Sequence, residues 1–95
     1  MSSVSDRRIP VEELLAFPTR FAFKAIGHHT RDFSRDAFQA VVGALGDDRT
    51  VTLRTRLSRN GTYISATLTT RIDSARELRA VYAALWRVQG VITVL

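Results

Sequence analysis

Between Arg54 and Ile72 the chain reads RTRLSRNGTYISATLTTRI, and this stretch restricts the fold more than any other. Two alternating runs meet at Asn60-Gly61. Both residues tolerate a positive φ at low steric cost, so the pair predicts a tight hairpin. Successive side chains of a strand point to opposite faces. One face therefore carries Val51, Leu53, Thr55 and Leu57 on the first strand and Ile64, Ala66, Leu68, Thr70 and Ile72 on the second, and this set is directed to a core. The opposite face carries Arg54 and Arg56, then Tyr63, Ser65, Thr67, Thr69 and Arg71. It is polar and basic, and any function of the hairpin is expected there.

The flanking segments tell what the hairpin packs against. Arg20 to Gly27 alternates as a strand, with Phe21, Phe23 and Ala25 toward the core and Ala22, Lys24 and Ile26 away from it. Phe33, Ala37, Phe38, Val41, Ala44 and Leu45 recur at helical spacing. Thr30 is placed to cap that helix and Gly46 to end it, with Asp47, Asp48 and Arg49 as loop. After the hairpin, Ser74 and Glu77 form a capping box. Leu78, Val81, Tyr82, Leu85 and Val88 continue a second helix, which Gly90 closes. Trp86 lies off the main stripe, on the flank of the core or as an exposed contact. Val91 to Leu95 is a short final strand.

The element order is βαββαβ, the ferredoxin-like plan. Right-handed crossovers put both helices on one face of a four-stranded antiparallel sheet of order 4-1-3-2. Phe21, Phe23, Phe38, Val41, Leu53, Leu68, Leu78 and Leu85 are expected to be buried together. The other face has no helix over it. Lys24, Arg54, Arg56 and Arg71 are expected there around Tyr63, with Ala22, Ile26, Ile92 and Val94 as an apolar half. Such a half-apolar face predicts cover, by the arm around Leu14 and Phe17 or by a second chain.

Length and composition set the outer limits. Ninety-five residues with 45% apolar content suffice for one small domain with one core. Residues 1–10 read as a mobile tail and 11–95 as a single domain, with one or two helical turns over Val11 to Phe17 ended by Pro18. No apolar run is long enough for a membrane span, and no apolar stretch follows the basic residues of the N-terminus as a signal peptide requires. With no cysteine, there is no disulfide framework or thiolate chemistry. The expected location is cytoplasmic. The net charge is +5, and 13 of the 14 basic residues are arginine. That balance admits nucleic acid, acidic ligands or acidic protein surfaces, against the plain reading of a solvated surface.

No catalytic constellation emerges. His28-His29 lacks a third ligand, and neighbours on a strand point apart, so no metal site is assigned. No histidine–acid pair can be placed beside a serine. Asp47-Asp48 is explained by a helix-to-strand turn.

Several dispersed motifs resemble one family. LLAFPTRFAFKAIG (Leu14 to Gly27), RNGTYISATLT (Arg59 to Thr69) and VYAALWRVQGVITVL (Val81 to Leu95) are similar, in order and spacing, to the YbeD family of small bacterial proteins. The matching positions are Phe17, Pro18, Phe21, Lys24, Gly27, Gly61, Tyr63, Ser65 and Tyr82. The resemblance spans about residues 11–95. It implies a ferredoxin-like fold akin to ACT-type regulatory domains and a regulatory role labelled as lipoic-acid binding. It implies no catalytic residues and no bound cofactor beyond lipoic acid as a ligand. In ACT-type domains the turn after the first strand approaches a small ligand, which makes Gly27 a candidate contact.

Two functional classes follow. The first is a non-enzymatic, ACT-like regulatory or ligand-sensing module, working as a homodimer or on a partner enzyme. Its ligand would be a small carboxylate, such as an amino acid or lipoic acid, met by Arg54 or Arg56 or by backbone N–H groups after Gly27. The candidate ligand-binding set is Gly27, Lys24, Arg54, Arg56, Tyr63 and Arg71. The second is a nucleic-acid-binding module using the same basic face. Tyr63 stands alone there as a base platform, which favours the first class.

Overall fold

The computed structural model describes residues 15–95. Its elements are β1 (Thr19–His28), α1 (Phe33–Leu45), β2 (Thr52–Leu57), β3 (Tyr63–Ile72), α2 (Ala75–Trp86) and β4 (Val91–Val94). The strands form one antiparallel sheet in the order β2-β3-β1-β4, which is the 4-1-3-2 order read from its other edge. The fold is the ferredoxin-like βαββαβ sandwich. The expected tail at 1–10 and residues 11–14 of the expected helical arm lie outside the described residues. Leu15 to Phe17 are not helical, and Leu15 and Phe17 pack against the core.

The core is built where strand alternation meets the helical stripes. Phe23 and Ala25 of β1 and Ala66, Leu68 and Ile72 of β3 are fully enclosed beneath Ala37 and Val41 of α1 and Val81 and Leu85 of α2. Tyr82 meets Phe23 edge-on with ring centroids 5.2 Å apart, and burial of its ring raises the phenol pKa. Thr70 is the buried polar residue of this layer, and its hydroxyl donates to the Thr50 carbonyl at 2.9 Å.

Five sequence expectations change. The hairpin loop is longer than a tight turn: the ladder continues to Ser58, whose N–H donates to the Tyr63 carbonyl at 2.9 Å, leaving Arg59 to Thr62 as the loop. Gly61 takes the positive φ, 74°. Leu53 and Leu57 lie on the helix side of the sheet, opposite Leu68 and Ile64, yet they stay 36% and 50% exposed because β2 is the outermost strand. Phe21, likewise expected in the core, is only half-buried. Thr30 does not cap α1: the N-cap is Asp32, and its side chain makes no capping bond. Val94 pairs with Ala25 on the core face and is buried, while Thr93 pairs with Ile26 on the open face, next to a bulge at Ile26/Gly27. The capping box of α2 forms as read, with the Ser74 hydroxyl accepting from the Glu77 N–H. Trp86 is half exposed. Among the described residues no helix is long and apolar enough to cross a membrane.

Candidate functional site

Residues paired directly across an antiparallel ladder share a face. The register therefore sets out the open face as rows. One row is Arg54, Thr67 and Lys24; the next is Arg56, Ser65 and Ile26. Strands stand about 4.8 Å apart, so Lys24 and Arg54 lie roughly 10 Å from each other across Thr67. Lys24, Arg54 and Arg56 line a concavity of about 390 Å³ together with Thr55, Ser65 and Thr67. No acidic side chain lines it. Among the described residues, no ion pair engages any of the three cations.

A second concavity of about 230 Å³ continues from the first and shares Arg56 and Ser65 with it. Its other walls are Ile26, Leu57, Ser58, Tyr63 and Ile64, so it is mainly apolar. Tyr63 is 43% exposed at its end, with the His28 ring at a centroid distance of 5.7 Å. The two hollows form one shallow groove, cationic at one end and apolar with a phenol at the other.

The groove thus gathers Lys24, Arg54, Arg56 and Tyr63 from the sequence-derived set. It does not gather the other two. Arg71 is four residues along β3 from Thr67, about 13 Å away at strand rise, and its guanidinium is held by Asp73 at 2.9 Å. Gly27 is buried on the core face, paired with Ile64. A Cβ there would run into the Phe33 ring and stand 2.7 Å from the Gly90 carbonyl oxygen. Its lack of a side chain admits Phe33, the first residue of α1.

Two polar arrangements were not legible as sites. Arg49, read as loop, has a side chain only 7% exposed. Nη1 and Nη2 donate to the two Glu77 carboxylate oxygens at 2.7 and 2.6 Å, Nη2 to Asp73 at 3.2 Å, and Nη1 to the Arg71 carbonyl at 3.1 Å. Hydrogen bonding from Arg49 holds the Glu77 carboxyl down at about 2, and the same bond raises the Arg49 pKa. The capping box located Glu77, but no local spacing links it to an arginine 28 residues away. The other arrangement is at His29. Its Nδ1–H donates to the Gly61 carbonyl at 3.0 Å and its backbone N–H to that of Thr62 at 2.9 Å, tying the β1–α1 connection to the hairpin loop. Among the described residues no three histidine, cysteine, aspartate or glutamate side chains cluster as a metal site would need.

Comparison with known proteins gives a consistent picture. A family model described as a protein of unknown function (DUF493) matches residues 12–95. The UPF0250 protein of Nitrosomonas europaea is 34% identical over 74 residues, covering 78% of this chain and 85% of its own. The UPF0250 protein of Shewanella halifaxensis is 33% identical over 84 residues, covering 88% and 93%. Among solved structures, protein HP0495 from H. pylori superposes with a TM-score of 0.68 at 15% identity, over 100% of this chain and 94% of that one. The ACT domain from the GTP pyrophosphokinase of Chlorobium tepidum superposes with a TM-score of 0.63 at 18% identity, over 82% and 96%. At those identities the likeness is one of fold.

Proposed function

The chain belongs to the DUF493 family, the YbeD-like group of UPF0250 proteins, and from that premise we propose that it is a non-enzymatic, ACT-like module that senses a small carboxylate with an apolar tail. The observation that carries this reading is the continuity of the two hollows through Arg56 and Ser65. An anionic head fits among Lys24, Arg54 and Arg56, where charge-assisted hydrogen bonds replace its hydration. A short aliphatic or dithiolane tail fits beside Ile26 and Tyr63 on the open face. Lipoic acid has that form, and so does an amino acid with an apolar side chain. The ACT domain of a GTP pyrophosphokinase among the structural neighbours supports a regulatory role, exercised as a homodimer or on a partner enzyme in the cytoplasm. No side-chain constellation in the groove supplies a nucleophile with its base.

The test is a titration of the labelled protein with lipoate and octanoate, followed by amide chemical shifts. Shifts are expected at Lys24, Arg54, Arg56 and Tyr63 and not at Arg71. Arg56→Ala removes a charge-assisted bond worth about 1.5–3 kcal/mol, a weakening of roughly tenfold or more. Equal binding by Arg56→Ala and Lys24→Ala would refute the reading.

One observation favours a second class. His28, one residue past the expected end of the strand and paired with Tyr63, adds a ring to the open face, and adjacent rings on a basic sheet can stack bases. In that case binding of single-stranded RNA falls steeply with salt, and Tyr63→Ala costs about 1–3 kcal/mol.

A further inference from the structure

The sheet has two edges, and they are not alike. β4 has four residues, its pairing with β1 is interrupted by a bulge, and it is half covered on the core side by the burial of Val94. β2 has six residues in unbroken register with β3, no proline, and every residue exposed. Natural sheets blunt a free edge by shortness, bulges, proline or charged side chains; β4 is short and bulged, whereas β2 has only the charges of Arg54 and Arg56, which repel a basic strand and attract an acidic one.

The hydrogen-bonding direction along β2 follows from the hairpin. Ser58 and Tyr63 are a bonded pair. In an antiparallel ladder bonded and non-bonded pairs alternate, so Arg56–Ser65 and Arg54–Thr67 are the next bonded pairs. The N–H and C=O groups of Leu53, Thr55 and Leu57 are therefore turned outward, away from β3. An incoming strand would find these groups free. It would also meet Leu53 and Leu57 on the helix side of the sheet and Arg54 and Arg56 on the open side.

We propose that β2 receives an extended strand from a partner protein in which acidic and apolar residues alternate. The acidic residues face Arg54 and Arg56, the apolar ones cover Leu53 and Leu57, and the outward backbone groups are paired. Charge favours this occupant over a second copy of the chain in the register that engages the most of β2. Antiparallel pairing of two β2 strands centred on Thr55 would set Arg54 of each copy opposite Arg56 of the other, and like charges directly opposite are destabilising. The inference shares Arg54 and Arg56 with the carboxylate reading but stands on the outward backbone groups of β2, and Lys24, on β1, takes no part in it.

The test uses the full chain, isotope-labelled, and a synthetic peptide alternating glutamate and valine over the six-residue length of β2. One control peptide has lysine for glutamate; a second has the same composition with the glutamates and valines segregated. The alternating acidic peptide is expected to slow amide exchange at Leu53, Thr55 and Leu57. Thr55→Pro removes an outward donor without touching the ladder to β3, and is expected to weaken binding by at least about tenfold. Arg54→Glu combined with Arg56→Glu keeps both exposed positions hydrophilic and is expected to transfer the preference to the lysine peptide. Lys24→Ala is expected to leave peptide affinity unchanged while weakening lipoate, so the two proposals fail separately. Equal binding of the segregated peptide reduces the effect to charge alone and overturns the proposal, and so does unchanged exchange at the three amides. Protection of those amides in the protein alone, rising with its concentration, makes the occupant a second copy and overturns it as well.

Discussion

A methyl group at Gly27 has nowhere to go. Phe33 fills the space on one side and the Gly90 carbonyl closes the other at 2.7 Å. Overpacking of this kind costs about 1–3 kcal/mol, so Gly27→Ala is expected to lower the urea midpoint, and Phe33→Leu in the same chain to recover part of the loss. A ligand role for the glycine alone predicts the opposite, a stable protein that binds poorly. Leu68 sets the scale for the core: it is fully enclosed between the sheet and both helices, and Leu68→Ala is expected to cost about 2–5 kcal/mol by the same measurement. The sequence marked Gly27 as a candidate ligand contact, on the resemblance to ACT-type domains. It did not reveal the packing that closes the position to a side chain, because the colliding atoms come from α1 and from the turn before β4, which only the tertiary packing brings together.

Arg49 shows how an element is pinned from a distance. The N-terminus of α2 carries Glu77, whose carboxylate also accepts from the Asp73 N–H at 2.8 Å, and Arg49 arrives from the α1–β2 connection to clamp it in two bonds. With the folded-state pKa near 2 against an ordinary 4.5, the unfolded chain binds a proton first as pH falls. The stabilisation is complete above about pH 4.5 and is lost between there and pH 2. Glu77→Gln is expected to cost about 1–3 kcal/mol at neutral pH and to flatten stability across that acid window, read from thermal melts at successive pH values. The helices and three of the four strands were legible because their periodicities are local. The position of β2 was legible too, but its exposure was not. Alternation tells which face Leu53 and Leu57 share, whereas burial depends on whether another layer reaches the edge.

On the scale of the whole molecule, charge is sorted by face. The helical side mixes signs, as in the contacts of Arg35 with Asp32 and Asp36. The open side concentrates Lys24, Arg54 and Arg56, with no acidic group lining their hollow. That arrangement followed from the alternation of β1 and the hairpin, and the rows of the register place the three cations together. The apolar half of the open face was less legible, because β4 pairs Thr93 rather than Val94 with Ile26, next to the bulge at Ile26/Gly27, and so brings Thr93 to that face. Three like charges within about a Debye length of one another at 0.1 M salt repel across the groove. Neutralising one removes that repulsion, so Arg54→Ala is expected to raise the melting temperature slightly at low salt, by an amount corresponding to about 0.2–1 kcal/mol, and to lose the gain as salt is added. A bound carboxylate relieves the same repulsion and adds its own binding free energy, about 2.7 kcal/mol at a hundred times Kd. The wild-type chain is therefore expected to gain more from saturating lipoate than Arg54→Ala does, reversing their order of stability. If the variant is the less stable of the two without ligand at low salt, Arg54 is holding the sheet together and the groove is not a site kept at the expense of stability.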